Sequence, residues 1–128
     1  MISDFGGWCA LIVQSNNLDF SLVNEITGLL PNKKSRRGIE DKLKTNTWWF
    51  CVKYENEIED ALLQLYECIC SIDFPKLRAI SENLYISVYL QSDFSQISFD
   101  FSSIALKKVA DLGLDINFSI FSWGGVID

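Results

Sequence analysis

The chain predicts an α+β domain, with four strands in one mixed sheet, helices on one face of it and a helical insertion between two β-α-β halves. Three observations point there. Strand-like and helix-like patterns follow one another in the order β-α-β, two helices, β-α-β. Each half carries a similar signature ahead of its helix, Leu18-Asp19-Phe20-Ser21 and Phe99-Asp100-Phe101-Ser102, which reads as an internal pseudo-repeat. The composition fits one packed core: of 128 residues 48% are hydrophobic and 22% charged, and seven Gly and two Pro are too few for a linker-rich chain.

The elements follow in order. Trp8 to Gln14 is a short run of strand formers between Gly6-Gly7 and Ser15-Asn16-Asn17, so it reads as a buried first strand. Asp19 then caps a helix with Leu22, Val23, Ile26, Leu29 and Leu30 on one face, which Leu30-Pro31 ends. From Pro31 to Asn46 the pattern disappears into a polar, basic stretch that reads as a long exposed loop. Thr47 to Tyr54 returns with β-branched and aromatic residues, the clearest strand in the chain.

Glu57 to Ile72, which Asn56 is placed to cap, is the strongest helical pattern. Ile58, Ala61, Leu62, Leu65, Ile69 and Ile72 form its buried stripe, while Glu57, Asp60, Gln64, Glu67 and Ser71 form an opposite acidic ridge flanked by Glu55 and Glu59. Pro75 starts a shorter helix with Leu77 and Ile80 inward. Leu84 to Gln91 alternates as a strand covered on one face, and Gln96 to Phe99 adds a short extended piece. A helix follows over Ser102 to Leu112, with Ile104, Ala105, Val109 and Leu112 inward and Gly113 as its stop, and Leu114 to Trp123 closes as a last strand. This order fits a ferredoxin-like sheet in which Glu57 to Asn83 is inserted between the halves, or a plainer α+β sandwich in which that segment packs as a full third helix.

Charge and chemistry narrow the function. There is no histidine, which removes the commonest general base, Ser–His and Cys–His nucleophile pairs and most zinc sites, so no catalytic residue is assigned. The net charge of −6 and pI near 4.5 disfavour a general nucleic-acid binder. Charge is uneven. Residues 31–46 hold six cations against two acids, or +4, leaving −10 on the remainder. The apolar run at the N-terminus is too short for a signal peptide or a membrane span, which places the protein in the cytoplasm. Cys9, Cys51, Cys68 and Cys70 lie in apolar segments without CxxC spacing and read as small buried hydrophobes. Carboxylate pairs such as Glu57 with Asp60 lie on an open helix surface, so no metal and no cofactor is expected.

Leu29-Leu30-Pro31, Arg37-Gly38, Trp48-Trp49, the amphipathic helix, Leu112-Gly113-Leu114 and the strand from Asp115 to Phe121 together resemble the bacterial family catalogued as domain of unknown function 4279, over about four-fifths of the chain. That family has no established chemistry, and its members occur near toxin and immunity cassettes. The resemblance implies a bacterial cytoplasmic protein, with toxin immunity as one trade.

The expected function is therefore a non-enzymatic binding protein, an immunity protein that neutralises a cognate toxin domain. The alternative is a small-molecule-binding or regulatory α+β module. Glu55, Glu57, Asp60, Gln64 and Glu67, with Trp49 as an aromatic anchor beside them, form the expected partner surface. Lys33, Lys34, Arg36 and Arg37 are the candidates for phosphate or an acidic partner. No nucleic acid and no membrane is expected as a partner, and the oligomeric state is left open.

Overall fold

The computed structural model describes residues 5–35, 46–53, 57–92 and 99–122. Their elements are β1 (Phe5–Ser15), α1 (Phe20–Thr27), β2 (Lys33–Ser35), β3 (Asn46–Lys53), α2 (Ile58–Ile69), α3 (Phe74–Ala79), β4 (Asn83–Ser92), α4 (Ser103–Ala110) and β5 (Asp115–Ser122). They make an α+β fold around one mixed sheet of order β2-β3-β1-β4-β5. β1 runs antiparallel to both β3 and β4, β2 is antiparallel to β3, and β5 is parallel to β4.

This order is ferredoxin-like, but its halves are not the expected ones. β1 and β2 run parallel with β3 between them, and β3 and β4 run parallel with β1 between them. These are two interlocked split β-α-β units. The first unit closes through β2, hidden in the basic stretch expected to be a long loop. With β2 counted, α2 and α3 are the crossover of the second unit rather than an insertion. The segment α4-β5 then adds a fifth strand beside β4. The pseudo-repeat falls with this reassignment, because Asp19 caps α1 whereas Ser102, two positions later in the signature than Asp100, caps α4.

The four helices of the described residues cover one face, and none of them lies on the other. Period-two alternation sends Cys9, Leu11 and Val13 of β1 and Ile86, Val88 and Leu90 of β4 to that face, where they meet Trp48 and the buried stripe of α2 (Ile58, Ala61, Leu62, Leu65, Ile69). Leu18, Phe20 and Val23 from the α1 side and Phe74 and Leu77 from α3 close the same core. Burial of this set, at about 25 cal/mol per Å² of apolar surface, is the main force holding the layers together.

Several local expectations are corrected. α1 stops at Gly28, whose φ of 72° is the left-handed helix-ending conformation, so Leu30 lies beyond the helix and is 76% exposed. Glu57 rather than Asn56 occupies the N-cap of α2, without a side-chain bond. Ile104 is not inward: Ala105 and Val109 set the buried side of α4, and one position back leaves Ile104 69% exposed. Cys9 is buried and Cys51 half-buried, but Cys68 and Cys70 are exposed, since Leu65 and Ile69 fix the inner side of α2 and these thiols fall outside it. Residues 96–98 of the expected extended piece, Asn56 and most of the basic stretch lie outside the described residues.

Candidate functional site

The acidic ridge exists as one face of α2. Glu57, Asp60, Gln64 and Glu67 are exposed, on a helix fixed by the core contacts of its opposite stripe. Glu59 is different. It is half-buried, and its Oε1 accepts the backbone N–H of Ser102, while the Ser102 hydroxyl accepts from Ala105 N at 3.1 Å. One acid of the segment thus ties α2 to the start of α4.

Trp49 is not beside this ridge. Trp48 points into the core, fully buried, with its indole N–H donating to Asn24 Oδ1 at 2.9 Å. Trp49, one residue on, must point to the opposite, helix-free face, on the far side of the sheet from α2. Lys33 and Lys34 pair through their backbones with Trp49 and Trp48 in β2. Glu55, Arg36 and Arg37 lie outside the described residues.

On the helix-free face the register assembles an aromatic relief. One row across the strands runs Lys53, Trp8, Tyr89, Ser119, and a second runs Trp49, Ile12, Tyr85, Asp115. Between them lies a row of small side chains, Cys51, Ala10, Ser87 and Asn117. Trp8 stacks on Tyr89 with ring centroids 5.2 Å apart and planes 20° from parallel, and Tyr89 meets Phe121 at 5.8 Å. Two aromatic ridges therefore stand about 14 Å apart, four residues of strand, over a floor that includes buried Ala10 and Ser87. Lys53 and Asp115, at opposite corners, are the charged residues in these rows. Burial pushes the Tyr85 phenol up from its ordinary value.

At the β3 side the relief deepens into a cleft of about 300 Å³ lined by Trp8, Trp49, Cys51, Lys53 and Asn32. Asn32 is held there by two bonds: its backbone N–H donates to Trp49 O at 2.8 Å and its Oδ1 accepts from Cys51 N at 2.6 Å. A second, more polar cleft of about 590 Å³ opens where β4 and β5 begin, between Arg78, Glu82, Tyr85, Asp115 and Asn117. Arg78 is oriented by donating from Nη2 to Gly113 O at 2.9 Å.

No group of three or more His, Cys, Asp or Glu is disposed to hold a metal among the described residues. No helix among them is long and apolar enough to cross a membrane. Reading the sequence missed Trp8, Tyr85, Tyr89 and Phe121 as one surface. The signal was present in the alternation Trp8-Ala10-Ile12, Trp49-Cys51-Lys53 and Tyr85-Ser87-Tyr89, but joining those strands required their register.

Fold and site together define an α+β protein whose sheet carries an aromatic face with no helix on it among the described residues. Comparisons with protein-family models, curated proteins and solved structures return no match, so the case for function rests on geometry.

Proposed function

We propose that this chain is a binding protein with no reaction of its own, an immunity protein that neutralises a cognate toxin domain in the bacterial cytoplasm by protein–protein association. The observation that carries the reading is the aromatic relief: Trp8, Trp49, Tyr85 and Tyr89 stand half-buried on a sheet face that none of the described helices covers. Large aromatics in fixed positions are what protein interfaces use as anchors, because they bury much area with little side-chain ordering. The exposed carboxylates of α2 lie on the other layer. They act at longer range, drawing a basic toxin towards the complex and raising its on-rate.

The test is co-expression with the product of the gene immediately upstream. The expected result is restored growth and a stoichiometric complex, lost with Trp49→Ala and Tyr89→Ala together and weakened in a salt-dependent way by Glu57→Lys with Glu67→Lys. Absence of both complex and rescue overturns the reading. Loss caused by the charge reversals alone transfers the contact to α2.

The cleft between Trp8 and Trp49 favours a second reading, a small-molecule module. It predicts a ligand-dependent rise in melting temperature and quenching of Trp49 fluorescence without any protein partner.

A further inference from the structure

The two edges of the sheet are built to opposite specifications. β2, at one edge, is three residues long and carries two lysines, which is how natural proteins blunt an edge against unwanted pairing. β5, at the other, is eight residues long, has neither Gly, Pro nor Lys, and holds a single charge, Asp115, at its first position. Its inner side pairs with β4 from Asp115 to Ser122, and among the described residues no strand lies on its outer side. Alternate residues therefore direct backbone N–H and C=O groups outward.

The side chains tell the same story. Phe118 and Ile120 point to the helix-covered face yet remain 46% and 47% exposed, and Phe121 on the other face is 53% exposed. Phe99 and Phe101 pack against Phe118 with ring centroids 6.3 and 6.2 Å away, and still leave nearly half of it in solvent. Lys108 of α4 sits over the Tyr66 ring of α2 at 5.7 Å, so that flank of α4 faces α2. Leu106, about 200° around the helix from Lys108, turns away from that flank and is exposed as well.

We propose that β5 is a homodimer interface, at which two copies of this chain pair antiparallel about a twofold axis that is perpendicular to the sheet and midway between the two copies of Phe118. The inference stands independently of the toxin reading. Antiparallel pairs share a face, so a twofold pairing of β5 must be centred on a residue. Centred on Phe118, it sets Ile116 opposite the partner's Ile120 and Asn117 opposite the partner's Ser119, apolar against apolar on the helical face and polar against polar on the other. Asp115 meets the partner's Phe121, so the strand's one charge does not face its own copy. A second copy thus matches the strand on both faces, and the strand's one charge is kept clear of itself. The contact is isologous and closes at two copies, joining two five-stranded sheets into one continuous sheet.

The experiment is sedimentation velocity of the full chain across a wide concentration range, with two variants. Wild type sediments at twice its 14.6 kDa chain mass, and Ile120→Lys sediments at the chain mass with unchanged circular dichroism and melting cooperativity. In a background with Cys51→Ser, Cys68→Ser and Cys70→Ser, Phe118→Cys forms an intermolecular disulfide on mild oxidation. Asp115→Cys, whose two copies sit at opposite ends of the paired strands, does not. A wild type monomeric at every concentration, a dimer indifferent to Ile120→Lys, or equal crosslinking at both positions overturns the proposal.

Discussion

Trp48 and Trp49 are neighbours in sequence and opposites in role. The first is sealed in the core and hydrogen-bonded to Asn24; the second stands half-buried on a sheet face without helices. Their difference teaches that this sheet uses its two faces for different purposes, one to hold the layers together and one to present a surface. Cys9 and Cys51 repeat it on adjacent strands.

The largest test of that division is truncation. Trp48→Ala should lower unfolding free energy by about 3–5 kcal/mol, from lost burial, the cavity left behind and an Asn24 amide deprived of its donor. Urea unfolding measures it, and a value near zero would erase the distinction between the faces. Next is Gly7→Ala, which reaches both faces through the backbone. A Cβ there would stand 2.1 Å from the Tyr89 carbonyl oxygen, so β4 must shift from β1 beside the Trp8–Tyr89 stack. The expected cost is about 2–3 kcal/mol, with altered near-ultraviolet circular dichroism from the displaced rings.

Alkaline pH sharpens the thiol version. Burial first, and Cys51 second, push the Cys9 thiol from its ordinary 9.0 up to about 12. In the unfolded chain the thiol ionises near its ordinary value, so between about pH 9 and 12 the folded state holds the extra proton. Stability is then full below pH 9 and falls as pH rises through that window, by about 1.4 kcal/mol per unit, a slope that Cys9→Ala should flatten. Iodoacetamide should meanwhile label Cys68 and Cys70 in the folded protein and Cys9 only on unfolding. Ser102→Ala removes one cap bond of α4 and should cost about 1 kcal/mol. Smallest of all, Trp49→Ala should change stability by about 1 kcal/mol or less while weakening the proposed association with a partner.

Much of this was legible in the chain. The three-and-four spacing of α2 gave both its buried stripe and its outward carboxylates correctly, and the alternation of Leu84 to Leu90 gave the covered side of β4, because these patterns act through nearest neighbours on one element. The ferredoxin-like sheet was anticipated from the wrong strands. Lys-Lys-Ser has no apolar periodicity to announce β2; it is a strand because β3 offers it an edge, a fact set by residues some fifteen positions away. Missing it assigned β4-α4-β5 to the second half of a repeat. Placing Trp49 beside the acidic ridge failed for a related reason: alternation says that Trp48 and Trp49 diverge, but only the packing of Trp48 against α1 decides which of them shares the helical layer.

The interlocking of the two split units also has a kinetic side. β3 must enter between β1 and β2, and β1 between β3 and β4, so neither unit can finish its layer without a strand of the other. The elements β1 to β4 should therefore reach the native state in a single concerted step whose rate is held down by closure between distant strands. α4 and β5 have no such obligation. They dock on an edge that is already complete, so their amides should exchange with solvent before those of β1, and substitutions in them should speed unfolding while leaving refolding almost untouched.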